Sequence, residues 1–186
     1  MNRQIFYQKV KVKLFPSLKQ STLNGINAIV DEWEKQGISD NRQLAYILAT
    51  VYHECARKMQ PIEEFGKGKG KAYGSKIKSS RKPYSTPNKL YYGRGFVQLT
   101  WYENYVKAGK KLGIDLLNTP ELALELSTAS TILVRGMIEG WFTGAKLKTY
   151  INSKSCDFVK ARHIINGTDC DDLIAVYADD FLECLT

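Results

Sequence analysis

Residues 44–54, LAYILATVYHE, preceded by Asp40-Asn41-Arg42-Gln43, decide the fold class. Leu44, Ile47, Leu48, Val51 and Cys55 recur at spacings of three and four, which lines them along one stripe of an α-helix. Asp40 and Asn41 are side chains that cap helix N-termini, and Pro61 bars helix from the residue before it, so the pattern predicts an end near Arg57 or Met59. Upstream, Leu23, Ile26, Val30 and Trp33 form a second amphipathic stripe that Gly37 stops. Downstream the periodicity breaks: Gly66, Gly68, Gly70 and Gly74 alternate with lysines, and Pro83 and Pro87 sit among serines, so residues 65–95 read as a long loop or small β-lobe.

Helical spacing resumes at Thr100, which with Glu103 reads as a capping box, and Tyr102, Tyr105 and Val106 begin an apolar face that ends before Gly113. Thr119-Pro120-Glu121 reads as a cap with proline at the first helical position. Ile132, Leu133, Met137 and Trp141 predict a helix stopped at Gly144, and Phe158, Ala161 and Ile165 another stopped at Gly167. Leu173, Ile174, Tyr177, Phe181 and Leu182 are expected on the buried side of a terminal helix. The expected architecture is mainly α, one domain over 1–186, with helical lobes at about 17–60 and 100–186 and an irregular lobe over about 61–99.

The composition is that of an ordinary soluble globular chain: 44% hydrophobic and 25% charged residues exclude disordered and collagen-like classes. The balance of 27 Lys and Arg against 19 Asp and Glu gives +8, which favours an anionic partner: nucleic acid, a membrane surface or an acidic polymer. The excess is local. Residues 65–102 carry nine cations, from Lys67 to Arg94, and no acid, while the other 148 residues carry 18 cations and 19 acids. Cys55, Cys156, Cys170 and Cys184 form no CxxC pair and stand beside only two histidines, so zinc spacing is absent and all four read as small buried reduced thiols. Residues 1–13 lack the apolar core of an export signal, and the apolar stretch from Leu44 to Tyr52 is too short for the ~20 residues of a membrane span. The expectation is synthesis in the cytoplasm without export by signal peptide.

Two carboxylates bracket the candidate chemistry. His53-Glu54 is not a metalloprotease motif, because the position of the second histidine holds Arg57. Glu54 falls at the edge of the buried stripe, where desolvation would favour the neutral form a general acid needs; a surface glutamate paired with Arg57 or Lys58 fits the same position. A second carboxylate has to be Glu63 or Glu64, since no other acid follows before Glu103, unless the pair merely offsets the lysines after it.

The run YYGRGFVQLTWYENY at 91–105, with YHE at 52–54 and GIDLLNTPELAL at 113–124, resembles the family 19 glycoside hydrolases, the plant-type chitinases and the phage or prophage lysozyme-like endolysins of that fold. The stretches SLKQSTLNGINAIVDEWE and LAYILATVYHE are similar to the endolysin branch, and the resemblance covers about residues 15–170. It implies a lysozyme-like helical domain with a small lobe inserted around residues 60–95. It carries the general acid onto Glu54 and, in the endolysin pattern, the second carboxylate onto Glu63; the plant chitinase pattern is broken, with only Lys76 near its second glutamate. Thr100 matches the hydroxyl that holds the attacking water, though it also fits a helix cap, and Gln98, Asn104 and Asn166 match sugar-binding positions, Asn166 beside Gly167 fitting plain helix-end chemistry as well. Tyr73, Tyr91, Tyr92 and Trp101 are candidate sugar-stacking surfaces, tyrosines in such numbers also serving as core.

What the resemblance implies is an N-acetylmuramidase-like endolysin cleaving β-1,4 bonds of peptidoglycan, inverting if the carboxyls lie roughly 6.5–9.5 Å apart. Chitinase and lytic transglycosylase are the alternatives, the sequence does not separate a muramidase from a glucosaminidase, and without the motifs the lysine-rich loop Lys67–Lys89 would read as a nucleic-acid or anionic-membrane binder. No metal or organic cofactor is expected. A monomer is expected to act on the wall or periplasm after release, with a holin pore giving access and the Lys67–Lys89 loop offered to an anionic outer membrane. The lobe's charge is expected to draw an anionic wall toward the cleft and to help keep Glu63 ionised.

Overall fold

The computed structural model describes residues 1–86 and 88–186; Pro87, read from sequence as part of the irregular lobe, lies outside the described residues. Among the described residues the fold is mainly α, as the periodicity predicts. The helices are α1 (Arg3–Lys13), α2 (Gln20–Lys35), α3 (Asn41–Glu54), α4 (Tyr102–Leu112), α5 (Leu126–Glu139), α6 (Leu147–Tyr150) and α7 (Asp171–Leu185). Two antiparallel ribbons join them: β1 (Ile62–Glu63) with β2 (Arg94–Gly95), and β3 (Ile151–Asn152) with β4 (Ser155–Cys156).

The centre is α3. Asp40 caps it, accepting from the Arg42 N–H at 3.1 Å, and every residue from Gln43 to Tyr52 is buried. A helix buried on all sides needs partners all round. It packs chiefly on α7, with α2 and α5 also against it. α3 ends at Glu54, earlier than proline placement alone predicts, because Ala56 and Arg57 adopt left-handed conformations (φ 47° and 63°) that break the ladder. The reversed chain then lies on α2, where Gly25 makes room: a Cβ there would sit 1.7 Å from the Met59 carbonyl oxygen.

Several sequence expectations need correction. α1 falls in a stretch whose alternating Lys and Val carry no helical signal; it exists because Phe6 and Val10, one turn apart, bury against the body, and α1 docks on α7. α5 stops at Gly140, in left-handed conformation at φ 77°, and not at Gly144, so Trp141 lies beyond the helix. The segment around Ala161 is a short 3-10 helix, Lys160–Ile164. Thr119 precedes another, Pro120–Leu124, with proline in its first turn but no side-chain cap. On α7 the buried side is Ile174, Ala178, Phe181 and Leu185, while Leu173 is exposed. Cys55 and Cys184 are buried as expected; Cys156 and Cys170 are exposed because they sit in turn-side positions of β4 and the α7 entry.

The Thr100 capping box does not form. Trp101 is the residue before α4, with φ 76°, and the Thr100 hydroxyl donates instead to the Gln98 carbonyl at 2.6 Å, while Glu103 accepts from Ser79 Oγ at 2.7 Å. The inserted lobe therefore takes the carboxylate that the cap would have used. The lobe itself is a chain of turns with a 3-10 helix at Ala72–Ser75 and a bridge between Ile77 and Pro83. Among the described residues no helix is long and apolar enough to cross a membrane.

Candidate active site

Glu54 is the last residue of α3, where the helix dipole presents its negative end and an added carboxylate is disfavoured. Arg162 compensates: its guanidinium, 3% exposed, donates to Glu54 Oε1 at 2.7 Å and from Nε to the Asp169 carbonyl at 2.8 Å. Glu54 is thus half-buried beside a cation, not isolated in an apolar setting as its place on the stripe implies. Neither Arg57 nor Lys58 is its partner; Arg57 reaches the Tyr177 hydroxyl. Arg162 carried no signal of its own, a single arginine between the buried Ala161 and Ile164, in a segment 108 residues from Glu54. Asn166 follows it in an exposed turn, its N–H donating to the Arg162 carbonyl at 3.0 Å.

The second cluster grows from the β1–β2 register, which sets Ile62 opposite Gly95 and Glu63 opposite Arg94. Gly95 (φ 87°) admits close approach of the 3-10 helix at 120–124, since a Cβ would meet the Ala123 carbonyl oxygen at 2.8 Å. Glu63 and Glu64 point to opposite faces of the ribbon. Glu64 is fully engaged by protein donors, the Gly93 N–H at 2.9 Å and the Tyr73 hydroxyl at 2.8 Å, and so fastens the lobe to the GRG segment. Glu63 accepts from the Tyr92 hydroxyl and pairs with Lys67 Nζ at 3.0 Å, with Arg94 Nε 3.9 Å away. The Tyr92 hydrogen bond first, then Lys67, hold its carboxyl below the usual carboxylate range. The cationic lobe therefore does contribute to an ionised Glu63.

Arg94 is buried behind this group. Its guanidinium lies 3.7 Å from the centre of the Tyr92 ring and donates to the Leu90 carbonyl and the Tyr105 hydroxyl, both at 3.0 Å, while Nε is buried without a hydrogen-bond acceptor. The stacking expectation changes accordingly. Tyr91 is fully buried, and Tyr92, 6% exposed and covered by Arg94, serves Glu63 through its hydroxyl. Tyr73 is half-buried, edge-on to Trp101 at 5.3 Å, its hydroxyl pushed up to about 12 by burial and the Glu64 carboxylate.

Gln98, Thr100 and Asn104 form a hydrogen-bonded chain. The Gln98 amide donates to the Ile62 carbonyl at 3.1 Å, the Thr100 hydroxyl to the Gln98 carbonyl, and the Asn104 amide to the Thr100 carbonyl at 2.8 Å. The Gln98 amide ties this chain to β1, the strand that carries Glu63. The two clusters meet through Cys55, the neighbour of Glu54, whose thiol donates to the Phe96 carbonyl at 3.6 Å and is pushed up to about 12 by burial. Among the described residues no three His, Cys, Asp or Glu side chains gather as a metal site.

With this arrangement in place, residues 39–159 match the family model of class I chitinases. The chain belongs to glycoside hydrolase family 19. Among its family 19 relatives, the acidic endochitinase SP2 of Beta vulgaris is 35% identical over 107 residues, 56% of this chain and 36% of that protein. The inactive chitinase-like protein 1 of Hevea brasiliensis is 46% identical over 57 residues, 31% of this chain and 17% of that one. The chain spans less than half the length of the curated relatives it matches. Chitinase C of Streptomyces griseus shares the fold, with a TM-score of 0.72 at 23% identity over 98% of this chain and 75% of that one.

Proposed function

We propose that this chain is a hydrolase of β-1,4 bonds in polymers of N-acetylated amino sugars, with peptidoglycan its preferred substrate and an endolysin-like N-acetylmuramidase its reaction type. The observation that carries the reading is the unequal treatment of two carboxylates. Glu63 is held ionised by Tyr92, Lys67 and Arg94, the state a general base requires, while Glu54 has only Oε1 engaged, by Arg162. In this reading Glu54 carries its transferable proton on Oε2, the oxygen that Arg162 leaves free. It donates to the glycosidic oxygen; Glu63, with Thr100 beside it, removes a proton from the water that attacks the opposite face of the anomeric carbon. The proton from Glu54 leaves on the product hydroxyl, so turnover ends with Glu54 ionised and Glu63 protonated, and proton exchange with solvent restores both.

Peptidoglycan is preferred because residues 65–102, which frame Glu63, bear nine cations and no acid, suited to a glycan carrying carboxylates more than to neutral chitin. Chitin stands as the second reading because the curated relatives bear chitinase names. Digestion of purified peptidoglycan beside colloidal chitin, with mass spectrometry of the products, separates them. Reducing muramic-acid ends without 1,6-anhydro sugars support the proposal. Anhydro products indicate a transglycosylase, and release from chitin alone a chitinase.

A further inference from the structure

Phe65 is the most exposed large apolar side chain in the described molecule, at 103% of its reference accessibility. It follows Glu63 and Glu64 directly, at the projecting corner of a turn closed by the Lys67 N–H on the Glu64 carbonyl at 3.1 Å, with Gly66 at φ 83° in the next position. Two further turns of the same kind follow, from Gly66 to Lys69 and from Gly68 to Lys71. Lys67 is paired with Glu63, but Lys69 and Lys71 are exposed and join no ion pair among the described residues. The turns are fastened to the site at both ends, by Lys67 on Glu63 and by the Tyr73 hydroxyl on Glu64.

We propose that Phe65, Lys69 and Lys71 form a recognition lip continuing the cleft beyond Glu63, which takes a carboxylate-bearing stretch of glycan. The apolar face of a pyranose ring lies on Phe65, and the carboxylates borne by the strand pair with the two free ammonium groups. Three things point to a sugar polymer over a lipid surface. The lip offers one aromatic side chain, whereas interfacial anchoring needs a broad apolar face. It is continuous with the proposed catalytic carboxylates. The lobe's two carboxylates are already engaged, Glu63 by Lys67 and Tyr92 and Glu64 by Tyr73 and Gly93, so repulsion between Lys69 and Lys71 remains until an anionic ligand offsets it.

The inference rests on the amino-sugar reading of the cleft, and the two fail separately. Glu54→Gln protein, which reads binding without turnover, is sedimented with purified sacculi and titrated with a soluble N-acetylglucosamine oligomer long enough to overrun the cleft. Phe65→Ala in that background is expected to weaken both ligands about tenfold. Lys69→Gln with Lys71→Gln is expected to weaken sacculus binding about tenfold at low salt, to flatten its salt dependence, and to leave the neutral oligomer within about twofold. Equal melting temperatures with unchanged sacculus binding in both variants overturn the lip, as does an equal loss of the lysine variant toward the neutral oligomer. Tighter binding to phosphatidylglycerol vesicles than to sacculi, through the same three side chains, overturns it in favour of a lipid surface. Sacculi bound through the lip but left undigested by the protein with Glu54 intact would overturn the proposed reaction and leave the lip standing.

Discussion

Glu54 and Glu63 are each backed by an arginine that is almost wholly buried, yet the two arrangements are built differently. On the helical side a direct ion pair at 2.7 Å joins Glu54 to Arg162, with nothing else on the carboxylate. On the lobe side Arg94 stays 3.9 Å from Glu63, and the closest donor to the carboxylate is Tyr92, which lies under the Arg94 guanidinium. Glu54 depends on one partner, so removing Arg162 leaves a half-buried carboxylate with no counter-charge, whereas Glu63 draws on tyrosine, lysine and a more distant arginine, so removing any one of them acts by degrees.

The comparison breaks most sharply at Glu54. Glu54→Gln keeps the shape and the Arg162 contact but removes the transferable proton, so turnover of cell-wall substrate should fall at least about a thousandfold with an unchanged circular dichroism spectrum. Near-normal activity in the purified variant would end the assignment. Arg162→Met comes next: leaving Glu54 half-buried without its partner should cost about 3 kcal/mol in urea unfolding, and adding Glu54→Gln to the same protein should recover much of that loss.

On the lobe side the effects are graded. Tyr92→Phe removes the largest influence lowering the Glu63 carboxyl. Because a depressed carboxylate is ionised above its lowered value and protonated as pH falls through it, the variant's acidic limb of kcat/KM against pH should move upward, with the loss confined to acid pH and activity near neutrality, where Glu63 is ionised in both proteins, changed less than about twofold. A limb that does not move would remove Glu63 from the role of base. Lys67→Gln should act in the same direction but least of all, about twofold at low ionic strength and undetectable at high, since Lys67 is 61% exposed and its pair is screened.

Much of this was legible in the chain. The stripe from Leu44 to Cys55 located α3, Asp40 its cap, and the glycine-lysine run the break after it, because helix periodicity and turn chemistry act over a few residues. Glu54 and the Glu63–Glu64 pair were reached from helical spacing and the gap in acidic residues, and the roles of Glu54, Glu63, Gln98, Thr100 and Asn104 through motif resemblance; the structure ties Gln98 to β1 and links Thr100 and Asn104 to it in a hydrogen-bonded chain. α1 escaped notice because two buried residues in a basic stretch make too weak a stripe. The Thr100 cap was misread because Glu103 has a competing donor, Ser79, from a lobe that local pattern does not see.

By itself the sequence determined the mainly helical class, the position of the break, Glu54 and the Glu63–Glu64 pair as candidate carboxylates, and the concentration of positive charge between residues 65 and 102. Only the tertiary structure decided which partners the two adjacent glutamates take, Tyr92 and Lys67 for Glu63, Gly93 and Tyr73 for Glu64. Strand register sends neighbouring side chains to opposite faces, and the pairing of Glu63 with Arg94 fixes that register from 31 positions away in the chain. It alone, too, supplied Arg162: a buried charge is tolerated only beside a partner, and a partner 108 residues distant is chosen by packing, not by spacing.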